Sequence, residues 1–252
     1  PTFEEYPNRR PSGEVISFYV TNNNYSYTAT EVMEFFADKD IDSLLLVNPD
    51  NPSGNYIKKV DVLKIAAWAE ERDISFIVDE SFVDFSVEED ASLLDERILE
   101  RYPTLIIVKS ISNSFGVPGL RLGILASQNA SLITSIKKDV AIWNINSFGE
   151  FYLQIFEKYK ADYEAAVETF KEERKRFIED LSAIENIRVI PSQANYVMCE
   201  IRGGITATDL AQVLLDKFNI LIKDLSSKKG IDGEYIRVAV KRPDENRKLT
   251  GA

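Results

Sequence analysis

The sequence predicts an α/β fold: a mostly parallel sheet with flanking helices, followed by a long connecting helix and a smaller α+β C-terminal domain. Three observations carry this reading. Short apolar runs rich in β-branched residues alternate with amphipathic stretches through the first half. A long, densely charged stretch without Gly or Pro follows, and the remainder mixes short strand-like runs with one helical pattern.

The first run, "DSLLLVNP" (Asp42 to Pro49), has the length and apolar content of a buried parallel strand. "VDVLKIAAWAEERD" then places apolar residues at helical spacing, with charges on the other face. "ISFIVDE" (Ile74 to Glu80) is the second strand, "ASLLDERILERYP" a shorter helical pattern, and "TLIIVKS" (Thr104 to Ser110) the third strand. A fourth short run, "LGILASQ", follows a glycine-containing loop. From about Phe151 to Ile184 apolar residues recur at three and four, which reads as one or two long helices; irregular heptads disfavour a coiled-coil module. "IRVIPSQANYVMCEI", "TATDLAQVLLDKFN", "ILIKDL" and "YIRVAV" complete a small α+β unit. The expected organisation is 1–150, 151–185 and 186–252.

Composition excludes several function classes. A formal net charge of −11 over 252 residues argues against nucleic acid or an anionic membrane as partner. The absence of histidine removes Ser-His-Asp and Cys-His nucleophilic schemes and histidine-ligated metals. One cysteine, Cys199 in "NYVMCEI", permits no internal disulfide and reads as a buried structural thiol. That single thiol fits reduced surroundings, so a cytoplasmic location is expected; no apolar run is of spanning length, and the first residues do not resemble a signal peptide. The opening "PTFEEY" and closing "KLTGA" are expected to be neither natural terminus of a domain.

In parallel sheets ligands gather at the carboxyl ends of strands, and all three runs end in polar residues. The first delivers "NPDNPSG", a doubled Asn-Pro turn that could hold the Asn51 amide in place. The second delivers "VDESFVDF", where Asp79 after a buried run needs a cationic or N–H partner. It could serve as a helix cap, as half of a local salt bridge, or as counter-charge to a protonated ring nitrogen. The third delivers "SISNSFGVPGLRLG", in which Ser110, Ser112, the glycine turn and Arg121 suit a phosphate dianion.

These three motifs, in this order, resemble the fold-type-I pyridoxal-phosphate enzymes of the class I/II aminotransferase superfamily. Within it, the chain is most similar to the histidinol-phosphate aminotransferase and threonine-phosphate decarboxylase branch. The resemblance implies pyridoxal 5′-phosphate as cofactor, with 1–150 as the large cofactor-binding domain. It implies that Phe3 stacks on the pyridine ring, that Asn51 bonds the phenolic oxygen and that Asp79 pairs with the ring nitrogen. Ser110, Ser112 and Arg121 would bind the phosphate. Arg237 in "YIRVAV" would grip the substrate α-carboxylate. Asn146 and Asn195 fall where the family lines its substrate pocket, although either could equally make a loop hydrogen bond.

Departures from the family pattern are as informative. The Schiff-base lysine belongs at 113, three residues after Ser110 and eight before Arg121, and this chain carries Asn113. An amide can neither form the covalent link nor move a proton. Lys109 lies on the strand and is not expected to substitute. Phe82 stands where many relatives have tyrosine, and Lys223 where the phosphate-recognising branch commonly has arginine. The family's glycine-rich phosphate loop, N-terminal arm and the tyrosine donated across a dimer would precede this sequence. The resemblance thus implies an aminotransferase using an amino donor and a keto-acid acceptor, acting as a homodimer, with this chain showing little or no turnover. A decarboxylase of the same branch and a non-catalytic cofactor-binding homologue are the alternatives.

Overall fold

The computed structural model describes residues 2–11 and 14–252. In chain order its elements are α1 (Glu5–Asn8), α2 (Ala29–Phe36), β1 (Ser43–Val47), α3 (Lys59–Glu70), β2 (Ser75–Asp79), α4 (Glu96–Arg101), β3 (Leu105–Ser110) and β4 (Gly123–Ala126). They continue with α5 (Ala130–Asp139), α6 (Ser147–Phe156), α7 (Lys160–Ser182), β5 (Ile187–Val189), β6 (Tyr196–Ile201), α8 (Ala207–Phe218), β7 (Lys223–Asp224), β8 (Tyr235–Ala239) and α9 (Pro243–Thr250). Packing divides the chain into two compact units: Thr28–Asn48 with Ile57–Glu168, and the described residues up to Tyr27 with Pro49–Tyr56 and Thr169–Ala252.

The first unit holds a sheet of order β1-β2-β3-β4. The first three strands are parallel, with Val47 opposite Asp79 and Asp79 opposite Val108. Helices α3 and α4 supply the crossovers that parallel neighbours need. No α-helix lies between β3 and β4, only a turn and a short 3-10 segment at Pro118–Leu120, so β4 returns antiparallel. The sheet is therefore mostly parallel, as its apolar runs predict. Helix α4 is shorter than its sequence pattern: the Asp95 carboxylate caps it, accepting the Arg97 and Ile98 N–H groups. The preceding Ser92 and Leu93 are instead tied to Glu80.

The two faces of this sheet differ. Leu44, Leu46, Phe76, Val78, Leu105 and Ile107 are buried on one face. On the other, the in-register row Leu45, Ile77 and Ile106 stays half-buried. Strand alternation puts Asp79 and Ser110 on that half-covered face and Lys109 on the buried one.

The second unit holds an antiparallel sheet of order β5-β6-β8-β7. Val197, Cys199, Ile201, Ile236 and Val238 point to one face and pack with Phe177, Leu181 and Ala207 of the flanking helices. Met198 and Tyr235 point to the other, joining Tyr25, Ile190 and Leu225. Between the units' strands the long helical stretch is two helices, α6 and α7, separated by one 3-10 turn at Glu157–Tyr159. Among the described residues no helix is long and apolar enough to cross a membrane.

Cys199 is fully buried, and burial pushes its thiol up to about 12. The thiolate is the nucleophile, so this group is expected to resist alkylation at pH 8 until the chain is unfolded. Because the folded value is raised, the neutral thiol's contribution to stability is complete below its ordinary range. It is lost as pH climbs from there towards 12. Mass spectrometry after iodoacetamide, with and without urea, checks the first point; rapid labelling of the folded chain contradicts it.

Candidate active site

At the carboxyl end of β2, Asp79 is 7% exposed. Its Oδ1 accepts from the Ser81 N–H at 2.9 Å and the Ser81 hydroxyl at 2.5 Å. Ser81 Oγ in turn accepts the Ser110 N–H at 3.0 Å, so one serine couples the ends of β2 and β3. Ser81 was not singled out by its sequence pattern; the signal for it is its place two residues beyond a buried carboxylate. Phe82 follows, half-buried, at the start of a 3-10 turn.

The turn after β3 carries three of the sequence-predicted residues. Ser110 Oγ accepts weakly from the Ser112 N–H at 3.4 Å. Ser112 is buried, and its Oγ has no hydrogen-bond partner among the described residues. Asn113 is exposed; its carbonyl accepts the Gly116 N–H at 3.3 Å. Arg121 adopts a left-handed backbone with φ 56 and ψ 45, a conformation costing a non-glycine residue about 1 kcal/mol or more. Its exposed guanidinium donates to the Pro118 carbonyl at 3.2 Å and has no carboxylate partner among the described residues.

Lys109 is committed elsewhere. On the buried face it is 7% exposed, with Nζ 2.6 Å from Asp84 Oδ1. The Tyr163 hydroxyl lies beside Asp84 and Ser114; burial first, then the Asp84 charge, push this phenol upward, so it stays neutral. Above this group the turn is clamped by aromatic rings. Phe115 stacks on Phe156 at 4.4 Å and meets Tyr163 edge-on at 4.7 Å. An apolar cleft of about 400 Å³, lined by these rings with Tyr152 and Tyr159, adjoins it.

Asn146 caps α6, accepting the Gly149 N–H at 2.9 Å, while its Nδ2 donates to the Leu120 carbonyl at 3.0 Å. Both ends of its amide are thus occupied, one capping α6 and the other holding the Arg121 loop.

In the second unit, the 49–54 part of the "NPDNPSG" turn is built around Asp50. Its carboxylate accepts from Ser53 Oγ at 2.6 Å, and its carbonyl accepts from the Gly54 N–H and the Tyr196 hydroxyl, each at 2.8 Å. Gly54 has φ 74, and a Cβ there would fall 2.1 Å from Ser192 Oγ, so only glycine fits. This turn holds Asn51 so that its Oδ1 accepts from Arg237 Nη1 at 2.5 Å. The Arg237 guanidinium lies 4.8 Å over the Tyr196 ring. Burial lowers its pKa, the Tyr196 phenol opposes that, and no carboxylate neutralises it among the described residues. Lys223 stands directly opposite Arg237 across the β7–β8 pair, on the same sheet face. Asn195 is half-buried; its carbonyl accepts the Val240 N–H at 3.0 Å and its side-chain amide has no partner among the described residues. Phe3 is 41% exposed and meets Tyr6 edge-on. Tyr196 escaped sequence reading because it looks like one more apolar residue of "NYVMCEI".

A phosphorylated pyridine fits the donors of the first unit. The partnerless Ser112 hydroxyl and the unneutralised Arg121, both on the turn after β3, suit a phosphate. The Asp79 carboxylate, already oriented by Ser81, suits a ring N–H. An amine for a covalent link is lacking at 113.

Comparison with known proteins agrees. The family model for aminotransferase class I and II matches residues 1–251. The chain is 35% identical over 255 residues to an L-serine phosphate decarboxylase from Sulfurospirillum multivorans, covering 98% of this chain and 64% of that one. It is 29% identical over 215 residues to the threonine-phosphate decarboxylase of Salmonella typhimurium, covering 84% and 57%. The crystal structure of the histidinol-phosphate aminotransferase from Clostridium acetobutylicum superposes with a TM-score of 0.85 at 29% identity, covering 98% of this chain and 72% of that one. The chain thus spans under two thirds of the length of the two decarboxylases. Members of this group are enzymes, aminotransferases and decarboxylases, that depend on pyridoxal phosphate. Motif order, strand topology and sequence together place this chain in the aminotransferase class I and II family.

Proposed function

We propose that the chain is the greater part of a pyridoxal-phosphate protein whose ligand is a phosphorylated amino acid, with its own turnover suppressed by Asn113. The observation that carries the substrate class is the pairing of Lys223 with Arg237: two cations on one sheet face, the arginine lacking any carboxylate among the described residues. A bidentate guanidinium suits an α-carboxylate, and a neighbouring ammonium suits a phosphate.

When bound, the cofactor supplies an electron sink for the substrate's Cα. The chain's residues do the remainder. Asp79 would hold a proton at the ring nitrogen, and Ser110, Ser112 and Arg121 would bind the phosphate; the family resemblance assigns Phe3 to the ring face and Asn51 to the phenolic oxygen. Phe82 offers only an apolar edge there. Arg237 orients the α-carboxylate, which decides which Cα bond is presented for cleavage. Asn195, with its free amide, is the remaining polar group for the substrate, and Asn146 acts through the Arg121 loop. The segments 1–150, 151–185 and 186–252 are read as cofactor domain, connecting helix and small domain.

The family resemblance by itself favours transamination between an amino donor and a keto acid. Similarity to two phosphoamino-acid decarboxylases supports Cα decarboxylation instead, and we adopt it. Homodimerisation and a cytoplasmic location belong to the same proposal.

The test uses the Asn113→Lys variant, measuring CO2 release from O-phospho-L-serine beside amino transfer to a keto acid. CO2 release is the expected result, and Arg237→Ala in that background is expected to lower it about 100-fold or more, as for a charged partner removed from a buried pair. Cofactor-loaded variant with neither reaction overturns the proposal; amino transfer alone restores the transaminase reading.

A further inference from the structure

The third strand end offers no free amine: position 113 holds an amide, and the nearby Lys109 is committed elsewhere. Lys109 points to the opposite face of β3 from Ser110, is buried, and is paired with Asp84 at 2.6 Å. It cannot reach round the strand without breaking that pair. Asn113 is exposed on the turn held by Phe115, and its side chain has no hydrogen-bond partner among the described residues. A ligand seated here is therefore held without a covalent bond, and the group it presents towards 113 meets an amide.

We propose that this chain selects the amine form of its cofactor, pyridoxamine 5′-phosphate, over the aldehyde form. The inference rests on the reading of Asp79, Ser110, Ser112 and Arg121 as the cofactor's seat. An aldehyde offers the amide one acceptor and, with no lysine to condense with, gains nothing further. A protonated aminomethyl group offers three donors and a positive charge, and Asn113 Oδ1 is an acceptor. A charge-assisted hydrogen bond of this kind is worth about tenfold in affinity or more. Ring, phosphate and phenolic contacts are common to both forms and cancel in the comparison.

The experiment is a titration of the unaltered chain, Asn113→Ala and Asn113→Lys with pyridoxamine phosphate and with pyridoxal phosphate. Binding is followed by calorimetry, and borohydride reduction and intact mass follow the lysine variant. The unaltered chain is expected to bind the amine about tenfold or more tighter than the aldehyde. Asn113→Ala is expected to lose that preference while binding both. Asn113→Lys is expected to reverse it, its Nζ condensing with the aldehyde carbon with loss of water and surviving reduction as a mass increase. If the lysine variant holds the aldehyde covalently while the unaltered chain shows no preference, or prefers the aldehyde, the inference falls and the cofactor seat stands. If no form binds any of the three proteins, the cofactor seat falls and the inference with it.

Discussion

Replacing Asn113 with lysine is expected to raise turnover by about 10² to 10⁴-fold, the usual contribution of a positioned acid–base group. The turn at 113 is set by features that the side chain does not touch. Phe115 is stacked on Phe156 at 4.4 Å, the Asn113 carbonyl accepts from Gly116, and the Val117 N–H donates to the Ser112 carbonyl at 3.0 Å. Because the side chain at 113 is exposed, the longer lysine displaces nothing and no core atom need move. The substitution thus adds an amine beside the Ser110 and Arg121 donors without altering them. Steady-state rates with O-phospho-L-serine, scaled to the fraction of cofactor retained, measure the effect. A lysine variant that retains cofactor covalently yet turns over no faster than the unaltered chain would show that position 113 is not where the proton is moved.

Phe76→Ala is expected to destabilise the first unit by about 3–5 kcal/mol, the range for deleting a buried aromatic from a core. Phe76 is 0% exposed on β2, between β1 and β3, in register with Leu44 and Leu105, which are themselves buried. Its ring has no route to solvent, so truncation leaves a cavity lined by strands held in a hydrogen-bonded ladder and unable to collapse. Against a typical domain stability of about 5–15 kcal/mol this is a large fraction. Both tryptophans, Trp68 and Trp143, belong to this unit, so urea unfolding followed by tryptophan fluorescence reports on it directly. A midpoint shift equivalent to less than about 1 kcal/mol would mean that Phe76 does not sit in the core.

The parallel strands were legible because strands flanked by parallel neighbours read as near-continuous apolar runs, and "LLLV", "FIV" and "LIIV" supply them, although one face of the sheet stays half-buried. Asp79 and Ser110 were legible as strand-end residues for the same reason: a polar residue closing such a run must lie at an end where it can find partners. What escaped was everything set by pairs distant in sequence. Asn51 meets Arg237 186 residues away, and Lys109 of β3 meets Asp84 of the 3-10 turn after β2, 25 residues away; neither residue's own neighbourhood encodes its partner. Helix α4 was overestimated because the apolar Leu93 and Leu94 extend the periodicity, while the local chemistry of Asp95 as a cap starts the helix later. Alternation along β3 could have assigned Lys109 to the face opposite Ser110; only the structure supplied its partner.

The clamped turn also bears on how a site of this kind can change over time. Asparagine and lysine codons differ only at the third base, so a single point mutation at 113 separates the amide from the amine. Because Phe115, Phe156 and Tyr163 shape the turn regardless of which side chain stands at 113, neither state is penalised by the fold. A lineage can therefore cross between the two in either direction while every other residue of the site stays under selection for binding alone.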